Sequence, residues 1–258
     1  MIIIYRLFTF LLLPFILLTL LYRLKINKED RARISERLGK TKHLRPNGPI
    51  IWIHCASVGE SLSTLSLVNK IVADYQNIHV LITTGTITAA KILSKKIPER
   101  TIHQYVPIDL TIAVRRFLKF WKPSLALWIE SELWPNLVTE TQKTQAPMIL
   151  LNGRVSEKSY RIWKIFPNFI RKLLSSFEIC LGQSNAEEEK LKSLGAKNVT
   201  YAGNLKFGAK KLPLDEKQYQ SLKNDLKDRT IWLAASTHPH EEKIIGSIHS
   251  KLKLYFKN

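Results

Sequence analysis

IIWIHCASVGE, residues Ile50 to Glu60, opens with an apolar, β-branched run, passes through a loop of small residues and enters a helical stretch. An apolar strand that turns quickly into a helix is the repeating unit of a parallel sheet flanked by helices, and ligands bind at the carboxyl ends of such strands. Glu60 then falls in the first helical turn. There the helix dipole favours the ionised carboxylate, the form that can accept a proton from an attacking hydroxyl. A first-turn glutamate is also an ordinary helix-start residue, so position alone does not separate the two roles. Ser57 and Gly59, in the small-residue approach to the helix, are candidates for substrate contact.

The same alternation continues outward. Candidate strands are Ile50 to His54, His79 to Thr83, Ser124 to Ile129, Met148 to Leu151 and Ile179 to Gly182. Helical stretches lie near Glu60 to Tyr75, Thr86 to Ile97, Leu110 to Phe120 and Ala186 to Leu194, and the fold class is therefore α/β. Ser156 to Leu174 carries apolar residues at helical spacing with a basic side, and Pro167 should divide it. The stretch Tyr201 to Pro213 reads as an interdomain linker. After it come one apolar strand, Thr230 to Ala235, and pieces of two helices, too little for a second α/β core of ~100 residues. The expected organisation is a membrane anchor over 1–23, a first domain over 24–203, and a linker with the start of an incomplete second domain over 204–258.

Forty Lys and Arg stand against 21 Asp and Glu, a formal charge of +19, which favours an anionic partner. Ile2 to Tyr22 is apolar apart from Arg6 and a few Thr and Tyr, about the ~20 residues of a transmembrane helix. The run exceeds a usual signal-peptide core and lacks a small-residue cleavage site before Arg23, so it reads as an anchor. The basic stretch from Arg23 to Arg45 predicts a single pass in the inner membrane with the following domain in the cytoplasm, beside anionic lipid. No nucleic-acid motif accompanies the charge, so no nucleic-acid partner is expected. Cys55 and Cys180 are far apart and outside any CxxC pair, which signals neither a disulfide framework nor zinc.

Other stretches can carry chemistry. In LALWIESELWPN, Glu130 falls at the carboxyl end of a buried strand with Glu132 two residues on, suited to a developing cationic or polyhydroxyl substrate. TTGT, with Thr84, Gly85 and Thr86, offers hydroxyls and a glycine turn. Arg154 in NGR and Lys206 in GNLKF are cations after apolar runs, able to hold phosphate. HPHEE, at His238 to Glu242, lacks HExxH spacing, and no metal is expected there. Neither GxxxxGK[ST] nor GxGxxG occurs.

Taken in order, ASVGE, TTGT, YVPID (Tyr105 to Asp109), ESELWPN, NGR, SNAEEE (Ser184 to Glu189), GNLKF and STHPHEE (Ser236 to Glu242) resemble the 3-deoxy-D-manno-octulosonic acid (Kdo) transferases of lipopolysaccharide synthesis. The resemblance implies two facing Rossmann-like domains, the arrangement called GT-B, with an N-terminal anchor and the acceptor held mainly by the first domain. It implies a CMP-Kdo donor, a lipid A precursor (lipid IVA) as acceptor, and neither cofactor nor divalent metal. By the same resemblance Glu60 is the proton acceptor, Glu130 and Lys206 stabilise the transition state, and Ser236, Thr237 and His238 are candidates for donor contact. Family members run well beyond position 258, which implies a chain with acceptor-side architecture and reduced or absent activity on its own. Rival expectations are a membrane-tethered protein that binds anionic lipid without catalysis, and a GT-B transferase using another sugar nucleotide.

Overall fold

A computed structural model describes residues 1–130, 132–208, 214–227 and 229–256. Contacts divide the chain into two units, Met1–Lys210 and Lys211–Asn258. Of the stretch expected as a linker, residues 209–213 lie outside the described residues.

The first unit opens with α1 (Ile2–Leu11), α2 (Leu13–Lys25) and a 3-10 helix, Arg31–Leu38. Then follow β1 (Ile50–His54), α3 (Val58–Ser63), α4 (Leu65–Asp74), β2 (His79–Thr84), α5 (Ile87–Leu93), β3 (Thr101–Tyr105), α6 (Thr111–Trp121), β4 (Leu125–Ile129) and α7 (Pro135–Gln142). The unit closes with β5 (Met148–Gly153), α8 (Glu157–Ile165), α9 (Pro167–Leu174), β6 (Ile179–Gly182), α10 (Asn185–Ser193), β7 (Val199–Tyr201) and a 3-10 turn, Leu205–Gly208. The seven strands form one sheet in the order β3-β2-β1-β4-β5-β6-β7, and every pairing is parallel. The chain winds one way from β1 to β3 and the other way from β4 to β7. The reversal leaves a crevice at the carboxyl ends of β1 and β4, the switch point where such sheets bind ligands.

Alternation along the strands sorts the core into two layers. Trp52 and Trp128 face one side with Phe117, Trp121 and Leu137. Ile53, Ile82 and Ile129 face the other with Val68 and Ile71. All five strands expected in this unit form. β3 was hidden because its centre, His103 and Gln104, is polar yet buried. β7 has only three residues. The helix expected from Glu60 to Tyr75 is two helices that meet at Thr64. Hydroxyls of Ser63 and Thr64 donate to the carbonyls of Glu60 and Ser61 at 2.7 and 2.9 Å, a local competition that bends helices. Pro167 divides α8 from α9 as predicted.

The edge of the sheet at β3 is closed by side chains of the first 3-10 helix. Arg33 donates to the carbonyl of His103 at 2.8 Å, and Glu36 accepts from the N–H of Tyr105 at 2.7 Å. Buried Arg37 pairs with buried Glu29 at 2.9 Å and donates to the carbonyls of Gly85 and Val106. The loop after β2 is thereby tied to the basic stretch after α2.

The single transmembrane helix expected over Ile2 to Tyr22 is not what forms. α1 and α2 meet at a bend of 58°, and among the described residues no single helix is long and apolar enough to cross a membrane. Pro14 sits at the start of α2 and brings no N–H to the ladder, which breaks the run there. The bent pair still passes by length and composition. The polar residues of α1 dock it on the unit: Tyr5 donates to Asp109 at 2.9 Å, and Arg6 pairs with Glu140. Ile3, Ile4, Leu7, Leu11, Phe15 and Leu18 remain exposed.

The second unit holds α11 (Glu216–Asp225) and α12 (Glu241–Tyr255). The strand expected over Thr230 to Ala235 is not formed, and Ile231 and Leu233 are exposed. An extended segment needs a neighbouring strand for its N–H and C=O groups, and none is found among this unit's described residues.

Candidate active site at the switch point of the sheet

Glu60 follows β1 and Glu130 follows β4, so the adjoining strands at the switch point bring two separate stretches of sequence to one crevice. Ser57 caps α3, its hydroxyl accepting from the N–H of Glu60 at 3.2 Å. The Glu60 carboxylate reaches back to accept from the N–H of Ala56 at 2.7 Å through Oε2. This is a variant of the capping box, and it fixes the side chain while engaging one oxygen. Burial raises the Glu60 pKa above the usual value. The contacts to Ala56 and Ser57 act against that, and Glu130 and Glu132 are near enough to push it further up. A carboxylate held in place with raised basicity is suited to take a proton. Open space lies where a side chain on Gly59 would be.

Glu130 has φ 59°, in the left-handed region that costs a non-glycine residue about 1 kcal/mol or more. Its N–H donates to the carbonyl of Leu151, which pins that conformation to the end of β5. From there its carboxylate lies 3.6 Å from the ammonium of Lys206. Glu132 is held differently: Trp134 donates to its carboxylate at 2.7 Å and Trp128 to its carbonyl at 3.0 Å. Glu60, Glu130 and Lys206 thus converge, and Glu132 contributes negative charge beside them.

The remaining candidates are placed as follows. The Thr84 hydroxyl is buried against His103 at 2.9 Å, so it serves the core. Gly85 passes so near the loop before α3 that a Cβ would lie 3.1 Å from the carbonyl of Ala56, and Thr86 caps α5. Arg154 is exposed just past β5. Ser236, Thr237 and His238 are exposed in the second unit, with Ser236 at φ 58°. Two further residues shape the site. Asp109, in YVPID, accepts from the N–H groups of Asn136 and Leu137 at 3.1 and 2.8 Å and so caps α7, joining that motif to ESELWPN. Asn152, in NGR, accepts from the N–H of Leu205 at 3.2 Å. The asparagine-glycine pair ending a strand was its sequence signal.

An α/β domain with this strand order, all parallel and reversing between β1 and β4, belongs to the doubly wound Rossmann-like class, and comparison narrows it. The sequence model described as 3-deoxy-D-manno-octulosonic-acid transferase (kdotransferase) matches residues 32–209. A 3-deoxy-D-manno-octulosonic acid transferase of Rickettsia bellii is 41% identical over 96% of this chain and 59% of its own length. That of Haemophilus influenzae is 30% identical over 88% of this chain and 54% of its own. A probable mitochondrial one of Arabidopsis thaliana is 31% identical over 96% and 57%. The chain belongs to the Kdo transferase family. It spans just over half the length of these relatives. Among solved structures, UDP-GlcNAc 2-epimerase from Neisseria meningitidis, bound to UDP-GlcNAc, shares the fold with a TM-score of 0.50, at 11% identity over 70% of this chain and 55% of that one.

Proposed function

We propose that this chain carries the acceptor side of a Kdo transfer from CMP-Kdo to a lipid A precursor. An acceptor hydroxyl attacks the anomeric carbon of Kdo, the new C–O bond forms as the bond to the CMP phosphate breaks, and the hydroxyl proton passes to Glu60. The developing positive charge on the sugar is met by the Glu130 carboxylate. Lys206 offsets the charge of the departing phosphate. The observation that carries this reading is the convergence of Glu60, Glu130 and Lys206 at the switch point, three residues from distant parts of a chain in this family. Donor contact is assigned to Ser236, Thr237 and His238 in the second unit, and Arg154 to phosphate or sugar at the end of β5.

The lipid acceptor gives a reason for the exposed apolar side of α1 and α2 and for the excess of Lys and Arg. In this reading the bent pair and the basic stretch after it hold the chain at the inner membrane, with the first unit on the cytoplasmic side. Co-sedimentation with vesicles containing anionic lipid tests that attachment. Replacing Ile4 and Leu7 by Asp should release the chain, and unchanged sedimentation would count against it.

Transfer of labelled Kdo from freshly generated CMP-Kdo to a lipid A precursor, by membranes containing the chain, tests the chemistry. Transfer that disappears in Glu60→Ala supports the assignment. Acceptor binding without transfer in both forms would instead favour a lipid-binding protein.

A further inference from the structure

Lys206 sits on a single 3-10 turn, Leu205–Gly208, none of whose residues is fully buried. A turn that short does not hold its place through its own backbone bonds. Asn204 accepts from the N–H of Lys206 at 3.0 Å and donates to Gln183 at 3.1 Å. Leu205 packs on the core layer beside β5, and the polar tie from this turn to the buried end of β5 is the bond from the N–H of Leu205 to Asn152 Oδ1 at 3.2 Å, with Asn152 only 3% exposed.

Asn152 is built for that contact at some cost. It stands where the register between β5 and β6 shifts, with φ 55°, a conformation that asparagine adopts more readily than most residues. A backbone N–H must meet an oxygen, so the bond to Leu205 fixes which end of the carboxamide is which. Nδ2 then faces the other way, buried and with no partner among the described residues. The left-handed backbone favours asparagine, but an unpaired buried donor works against stability, so packing alone does not explain the side chain here.

We propose that Asn152 is a positioning residue whose carboxamide oxygen holds the Lys206 turn where its ammonium reaches Glu130. The consequence for catalysis rests on the transfer reading above, whereas the positioning itself rests on geometry alone. Zero-length carbodiimide coupling of the purified chain, followed by peptide mass spectrometry, reads the Lys206–Glu130 pair without donor or acceptor. Lys190 and Glu157, 2.6 Å apart and joining α10 to α8, provide an internal reference. Asn152→Gly removes the side chain while tolerating the backbone conformation, and Asn152→Asp keeps an oxygen toward Leu205. Coupling of Lys206 to Glu130 should fall about fivefold in Asn152→Gly, the size expected for loss of one hydrogen bond, and persist in Asn152→Asp, with the reference pair unchanged. Equal coupling in all three chains overturns the proposal. So does loss in both variants, or a parallel loss of the reference pair, which would make Asn152 a general fold residue. A chain that couples as expected but transfers no Kdo counts against the transfer reading alone.

Discussion

The Lys206 ammonium stands 3.6 Å from the Glu130 carboxylate, with the lysine side chain about half exposed. An ion pair this open contributes ~0–1 kcal/mol to stability, less than the left-handed backbone of Glu130 costs. The pair is therefore poorly explained by folding and well explained by chemistry. Glu130→Gln and Lys206→Ala should leave Tm nearly unchanged while each lowers transfer roughly 10²–10³-fold. Because the two act as a unit, the double variant should be little worse than either single one. Additive losses in a transfer assay, or a Tm that falls with activity, would contradict this.

Arg37 is the opposite case. It and Glu29 are both buried, and the guanidinium also satisfies two backbone carbonyls. Arg37→Ala would strand a buried carboxylate that keeps only its bond to Arg23, and should cost about 3 kcal/mol in urea denaturation. Lys70→Ala, which breaks the exposed pair with Asp74, should leave the urea midpoint nearly unchanged.

Two buried histidines make the fold sensitive to acid. Burial pushes His54 down to about 3, and burial together with the nearby Arg33, His43 and Arg37 pushes His103 down to about 3, against an ordinary 6.5. Both stay neutral in the folded chain while their unfolded counterparts gain protons below 6.5. Their stabilisation is therefore present above that pH and is lost as the pH falls toward 3. Between pH 7 and pH 5 each should withdraw about 2 kcal/mol, seen as a lower urea midpoint. Glu60 and Asp109, both raised by burial, act with the opposite sign nearer the carboxylate range. Equal or greater stability at pH 5 would contradict the account.

The parts of the fold that follow from periodicity were legible in the sequence. IIWIH, LALWI and the other apolar strands announce themselves because both sheet faces are covered, and Pro167 marks a helix break by its missing N–H. β3 escaped because a buried histidine and glutamine replace apolar residues at its centre, the His103 ring engaged by Thr84 and Arg33 and the Gln104 side-chain oxygen by Trp121. The break at Thr64 depends on hydroxyls bonding local carbonyls, which periodicity does not register. At the site, Glu60 and Glu130 were visible as acids at strand ends. The link to Lys206, the capping of α7 by Asp109 and the anchoring of the Lys206 turn by Asn152 depend on which strands become neighbours, which the residues express only once folded.

The most direct test of the central claim, that Glu60 accepts the proton, is the pH dependence of Kdo transfer by wild type and Glu60→Gln. The base must be ionised to act, and its pKa is raised, so the wild-type rate should rise with pH along a limb centred above 4.5. Glu60→Gln should be slower by roughly 10²–10⁴-fold and lack that limb. A variant that keeps both the wild-type rate and its acid limb would show that Glu60 only caps α3.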